Sequence, residues 1–366
     1  MANIRINTTV HFPTGPLDPS ILGFGENFSP NFFVMEFTDG TWGEPRIEPL
    51  TPFVLHPASL VFHYAQTIFE GTKAYRQHDE NIVLFRPELN ARRFNRSAAR
   101  MGMPPVDESL FVEGLHQLVS TERYFVPPGP GSLYLRPTMI ATDPFLGIRS
   151  SKSFLFYILA LPTGAYFKEA GMGTKPVDVF VSESVVRAFA GGTGDVKTGA
   201  NYAVTLQITT TARDHGCSQV LFLDAVNRHA VEEMGGMNIF FLREGRLVTP
   251  PLSGTILAGV VRQSILEMAS DLGLDALEAP ITIEDILAGV ADGSITEAFA
   301  CGTAACVAPI GHLRFENGTT VTLGDGGVGP ISARLYDALQ GIYYGRIRER
   351  FGWIQAVCQL ESTLPV

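Results

Sequence analysis

The sequence predicts a mixed α/β (or α+β) protein in two domains, and three observations lead there. At 366 residues the chain is longer than one core usually fills, and 45% hydrophobic with 17% charged residues is a globular composition. Apolar runs of strand length share the chain with segments whose apolar residues recur at helical spacing. The stretch from Pro162 to Pro176 is dense in glycine and proline and reads as a connection. The expected division is a first domain over residues 1–165, a connection over 166–176 and a second domain over 177–366.

The first domain opens with the strand-like runs FFVMEF and NIVLF. A helix is expected from Pro87 to about Met103. At 100° per residue its apolar face carries Ala91, Phe94, Ala98 and Met101, while Arg92, Arg96 and Arg100 line the opposite side. Arg93 falls at the boundary beside Ser97, placed to reach inward with its guanidinium paired. A second helix runs from near Asp107 to Tyr124, followed by the strands SLYLRP and SFLFYILAL. The last is too short to span a bilayer, aromatic-rich and closed by Pro162, which favours a buried strand. The second domain follows with VDVFVS, a helix near Tyr202 to His215, QVLFLD, MNIFFL, a helix from Thr255 and a last helix near Ile331 to Arg350.

Chemistry concentrates in GGTGDVKTGANY, Gly191 to Tyr202, which sets Lys197 among glycines. A lysine that attacks a carbonyl must lose its proton near neutral pH, which takes a crowded, partly desolvated site. Glycines let the backbone approach a flat ligand where a Cβ would collide. Alone, the segment does not separate a nucleophile from a solvated lysine. It also resembles a phosphate loop counted from Gly191 to Lys197–Thr198, but Val196 occupies the last glycine position. For that reading, the nearest magnesium-binding candidate is Asp224, closing VLFLD. Next, Glu232 and Glu233 precede a Gly-Gly turn and an apolar strand, where a carboxylate suits a protonated ring nitrogen, though alone the motif reads more simply as an exposed acid pair opening a strand. Ser253 to Ala269 reads as a turn feeding an amphipathic helix whose Gly259-Val260-Val261 start offers N–H groups to a phosphate. The small-residue run around Gly302-Thr303-Ala304 suits an anion or an ordinary buried turn equally.

In this order the segments resemble the branched-chain amino-acid aminotransferases, enzymes of the fold-type IV pyridoxal-phosphate class. The likeness runs from Phe33 to about Arg350 and is most specific in FEGTKAY, ARRFNRSAAR, SLYLRPT, GGTGDVKTGANY, EEMGGMNIFF and CGTAA. It implies a small N-terminal and a larger C-terminal domain with pyridoxal 5'-phosphate between them. Lys197 would carry the cofactor as a Schiff base and shuttle a proton between Cα and C4′. Glu233, rather than Glu232, would partner the pyridine nitrogen, and Tyr202 the ring phenolate oxygen. Arg93, Val260, Val261 and Thr303 would hold the phosphate, and backbone donors of Thr303 and Ala304 the substrate α-carboxylate.

The resemblance also implies a pocket serving two unlike side chains. Phe69, Tyr64, Tyr166 and Tyr202 would form the aliphatic wall, and Arg136 with Tyr134 would meet the distal carboxylate of glutamate. Gly236 stands where some relatives carry threonine, leaving a roomier or differently hydrogen-bonded floor. Leu146 and Ile148 would belong to a loop closing the neighbouring subunit's pocket, so a homodimer or higher oligomer with shared sites is expected. The implied reaction exchanges the amino group of L-leucine, L-isoleucine or L-valine with 2-oxoglutarate. A D-amino-acid aminotransferase or aminodeoxychorismate lyase of the same fold is the rival, disfavoured by the chain length and by SLYLRPT and FEGTKAY, and a phosphate-loop nucleotide hydrolase or a non-enzymatic binding protein is the alternative from a different class. Ala305 and Ala308 replace the redox-switch cysteines of mammalian members, so no such switch is expected.

Composition bounds the rest. A net charge of −10 argues against nucleic acid as the main partner. The four cysteines lack disulfide-framework spacing, and Cys301 and Cys306 do not form a C-x-x-C knuckle, so reduced cytoplasm without a metal centre is expected. No signal peptide or membrane span is expected.

Overall fold

The computed structural model describes residues 3–15, 17–164 and 175–360. The chain forms two compact units: Met1–Lys168 with Val196–Gly199 and Gly341–Val366, and Glu169–Asp195 with Ala200–Gln340. The expected connection, apart from residues 175 and 176, lies outside the described residues, as does Tyr166. Among the described residues no helix is long and apolar enough to cross a membrane.

The first unit is built on a ten-stranded sheet. Its main path runs Arg5–Ile6, Arg46–Pro49, Asn31–Thr38, Phe154–Thr163, Ser132–Ala141, Thr72–Arg76, Asn81–Phe85 and Ile354–Gln359. Strand alternation divides Asn31–Thr38 between two cores, with Phe33 and Met35 in the larger and Phe32 and Val34 in the smaller. Over the larger core pack the helices Pro87–Arg100 and Glu108–Thr121. Phe94 and Phe111 meet Phe156 with ring centroids 5.2 and 5.8 Å away. Gly114 allows the second helix this approach, since a Cβ there would stand 3.1 Å from the Phe33 ring. That helix is capped by Asp107, whose carboxylate accepts from the Leu110 N–H at 3.0 Å.

The arginine helix follows its spacing. Ala91, Phe94 and Ala98 are buried, Arg92, Arg96 and Arg100 are exposed, and Arg93 is only 5% exposed. Opposite it, Ser132–Ala141 pairs with Thr67–Phe69 at one end and with Thr72–Arg76 at the other. Pro137 falls in the gap, where its missing N–H leaves the ladder unbonded. Its carbonyl accepts from the Glu70 N–H at 2.7 Å, and Glu70–Gly71 step out of the strand there.

The second unit holds a nine-stranded mixed sheet. Its path is Val231–Met234, Gln219–Leu223, Val177–Ser182, Cys306–Phe315, Ile295–Gly302, Asn238–Arg243, Arg246–Thr249 and Ala276–Glu278. Val177–Ser182 lies parallel to both neighbours. Ile208 and Ala212 of the helix Leu206–Asp214 cover Phe180, Val220 and Phe222.

Three local expectations change. The helix expected over Tyr202 to His215 breaks into Ala200–Ala203 and Leu206–Asp214, because the N–H and hydroxyl of Thr205 both turn back to the Tyr202 carbonyl. The helix expected from Thr255 begins at Val260, the residues before it being held off by the strand Val231–Met234. Glu232 and Glu233 precede the Gly-Gly turn and the apolar strand Asn238–Arg243 as expected, and themselves lie in the short strand Val231–Met234. The last helix, Pro330–Tyr343, stops short of Arg350, and the chain then adds the strand Ile354–Gln359 to the first sheet.

Candidate active site

In the first unit Lys197 is half-buried and its main chain is pinned on both sides. Its N–H donates to Ser97 Oγ at 3.0 Å, and its carbonyl accepts from the Phe69 N–H at 2.9 Å. Thr198 extends the attachment by bridging to Ile68 and donating its hydroxyl to the Thr67 carbonyl at 2.7 Å. The lysine Nζ thereby stands 4.7 Å from the centre of the Phe69 ring. Arg136 Cζ also stands 4.7 Å from that ring, and its Nε and Nη2 donate to Tyr134 Oη at 3.2 and 3.0 Å.

Next to Phe69, Glu70 is fully buried and grips Arg93 in a two-pronged pair, Nε to Oε1 at 2.7 Å and Nη2 to Oε2 at 2.8 Å. Asn90 adds an amide donor to Oε2 at 2.8 Å. Burial works against the Glu70 charge, but Arg93, its hydrogen bonds and the Lys197 charge outweigh it and hold the carboxyl below its ordinary range. Tyr64 is exposed and donates its hydroxyl to the Leu146 carbonyl. Leu146 and Ile148 are 60% and 95% exposed.

In the second unit Glu233 is 3% exposed and meets Arg187 Nη2 at 2.5 Å. Its carboxylate also accepts from the Leu257 N–H at 3.0 Å and from the Asn238 amide at 2.9 Å. Glu232 accepts from Thr255 Oγ1 at 2.6 Å while its Oε2 is buried without a hydrogen-bond partner, and burial raises its pKa. These contacts hold the approach to the helix Val260–Met268, which Gly259 precedes and no side chain caps. A Cβ at Gly259 would sit 2.0 Å from Asn238 Oδ1, so the backbone there is as close as glycine permits. Val260 and Val261 in the first turn are buried. Thr303 and Ala304 occupy the turn between the strands Ile295–Gly302 and Cys306–Phe315, both half-buried. Tyr202 lies on Ala200–Ala203, and a Cβ on Gly236 would approach its ring at 3.8 Å.

Each unit thus gathers its own share of the expected residues. The first brings together Lys197, Phe69, Arg93, Tyr134 and Arg136, and the second links Glu233 to the approach of Val260 and sets Gly236 beside Tyr202. Sequence reasoning missed Glu70, Ser97, Arg187 and Asn238. Glu70 stood inside a quoted motif, and its place beside Phe69 was the available signal. Asp224 serves a different purpose from magnesium binding. Burial opposes its charge, but N–H donors of Val226, Asn227, His229 and Ala230 bring its pKa down to about 2, and the carboxylate builds a turn.

Comparisons with known proteins show the family. Residues 67–313 match the family model described as Amino-transferase class IV. The chain is 46% identical to branched-chain-amino-acid transaminase 1 of Bacillus subtilis strain 168, covering 96% of this chain and 98% of that one. It is 44% identical to the branched-chain-amino-acid aminotransferase of Mycolicibacterium smegmatis, covering 91% of each. The solved Escherichia coli branched-chain amino acid aminotransferase superposes with a TM-score of 0.74 at 25% identity, over 89% of this chain and 99% of that one. The T.th. branched-chain amino acid aminotransferase solved with pyridoxamine 5'-phosphate gives a TM-score of 0.72 at 25% identity, over 88% and 98%. On the family match and the near full-length relatives, the chain belongs to the class IV amino-transferases.

Proposed function

We propose that this protein is a branched-chain-amino-acid transaminase that uses pyridoxal 5'-phosphate, exchanging the amino group of L-leucine, L-isoleucine or L-valine with 2-oxoglutarate. The observation that carries the reading is the Lys197 amine over the Phe69 ring, fixed by Ser97 and Phe69, in a chain whose near full-length relatives bear that name. The residues present fit the cofactor. The uncapped helix start at Val260 supplies phosphate donors, and Glu233 supplies an acceptor for a ring N–H. When bound, the cofactor supplies an aldehyde for the amine and a ring that spreads carbanion charge.

The chain's own residues then have separable tasks. With the cofactor bound, the Lys197 amine would hold it and would serve as the base that moves the substrate Cα proton. Arg93, oriented by Glu70, contributes charge and planar donors to the phosphate, joined by Val260, Val261 and Thr303. Glu233 would accept from the ring nitrogen, and Tyr202 would donate to the phenolate oxygen. Backbone donors at Thr303 and Ala304 receive the α-carboxylate. The Phe69 ring gives an aliphatic side chain a dry surface, with Tyr64, Tyr166 and Tyr202. Arg136 and Tyr134, joined to each other beside that ring, give the distal carboxylate of glutamate a partner. Gly236 leaves the floor open next to Tyr202. Exposed Leu146 and Ile148 support assembly with a second copy.

Purified protein loaded with pyridoxal 5'-phosphate is expected to turn over L-leucine with 2-oxoglutarate, and not D-alanine or aminodeoxychorismate. Borohydride should fix the cofactor to Lys197, read by peptide mass, and Lys197→Ala should abolish exchange. Turnover of D-alanine in place of L-leucine would sink the substrate assignment; an adduct on another lysine would sink the catalytic one.

A further inference from the structure

We propose that Arg187 is a positioning residue that drives the shared proton of the Glu233 pair onto the cofactor's ring nitrogen. The inference rests on the transaminase reading. Arg187 is 7% exposed, and its Nη2 faces three acceptors from separate segments of one unit. These are Glu233 Oε1 at 2.5 Å, the Gly194 carbonyl at 2.8 Å and the Thr255 carbonyl. Gly194 lies in the glycine-rich loop, Thr255 in the approach to the Val260 helix, and Glu233 on the strand Val231–Met234. One cation therefore ties together three pieces that carry assigned roles.

The consequence is electrostatic. A proton held between a carboxylate and a ring nitrogen occupies one of two places. The guanidinium touches the carboxylate, so the carboxylate is the nearer place and the nitrogen the farther one. Repulsion by Arg187 is weaker with the proton on the nitrogen, while attraction to the bared carboxylate is stronger. Both terms favour a protonated ring, the form that accepts carbanion charge. Leu257 N–H and the Asn238 amide add donors that stabilise the bared form further. Glu232, the adjoining acid, accepts from Thr255 Oγ1 through its Oε1, and it too lies in the field of Arg187, which works against the effect of burial on its pKa.

The test reads the proton directly. Protein is loaded with pyridoxal 5'-phosphate labelled with nitrogen-15 in the ring, and the ring resonance is recorded. Arg187→Gln keeps amide donors for the Gly194 and Thr255 carbonyls and removes the charge; Arg187→Lys keeps the charge. Wild type and Arg187→Lys are expected at the protonated position. Arg187→Gln should move to the unprotonated position, with kcat for L-leucine down on the order of 100-fold and KM changed less than about threefold. A protonated resonance in folded Arg187→Gln overturns the proposal. So does an unprotonated one in Arg187→Lys, which decides the matter if Arg187→Gln does not fold. Wild-type protein that takes up no cofactor would overturn the transaminase reading instead.

Discussion

At the residue scale the decisive contacts are buried charge pairs whose partners are distant in sequence. Glu70 and Arg93 are 23 residues apart and both below 10% exposure, so neutralising one strands the other in a dry site. Glu70→Gln is expected to cost about 3 kcal/mol of unfolding free energy, read by urea denaturation, and to weaken cofactor uptake in an absorbance titration. A separate acid sets a pH dependence. Burial raises Glu122 from 4.5 to about 7, with the Asn31 amide on one oxygen and the other oxygen buried without a hydrogen-bond partner. Between those values the folded form binds the proton more tightly than the unfolded one, so stability falls as pH rises from below 4.5 through 7. Glu122→Gln should therefore be more stable than wild type at about pH 8, by about 3 kcal/mol in urea denaturation, with the gain vanishing toward about pH 4. Equal effects at both pH values would refute the assignment. Arg93 was readable because helical spacing set it apart from its exposed neighbours. Glu70 and Arg187 were not, because nothing local says which remote segment brings the opposite charge.

At the element scale, strands were legible where the apolar run is nearly continuous, as in Val177–Ser182 and Asn81–Phe85, and a helix where burial follows helical spacing, as in Pro87–Arg100. Element ends set by side-chain bonds to other segments were not. The Val260 helix starts late because Leu257 and Thr255 are bonded to Glu233 and Glu232, a constraint that periodicity does not carry. Its glycine is the sensitive point. Gly259→Ala would place a methyl against the Asn238 amide, which in turn bonds Glu233 and the Leu257 carbonyl. Cofactor affinity is expected to fall at least about tenfold, or roughly 1.4 kcal/mol, by absorbance titration. Gly236→Ala meets only an ordinary contact at 3.8 Å and serves as the control, with stability within about 0.5 kcal/mol of wild type.

At the scale of the whole molecule, composition and mixed patterning pointed to two units, but a linear division does not express that Val196–Gly199 and Gly341–Val366 group with the first. A four-residue segment returning to another unit has no compositional signal, and Ile354–Gln359 is a half-exposed strand without clean alternation. Two outcomes are expected of the intact protein. Sedimentation should find at least a dimer, and Ile148→Asp should weaken it if that exposed loop meets a second copy. Peroxide should leave activity unchanged. Burial raises the Cys217 thiol to about 11 and also raises Cys301 and Cys358, which keeps thiolate scarce. Loss of activity restored by a thiol reductant would refute this. The strand Ile354–Gln359 has a further consequence for biosynthesis. It covers the flank of Asn81–Phe85, a run emerging from the ribosome long before its cover is translated. The nascent polypeptide is therefore expected to carry a sticky, unzipped margin through most of elongation. A premature stop codon ahead of Ile354 should send the product into inclusion bodies.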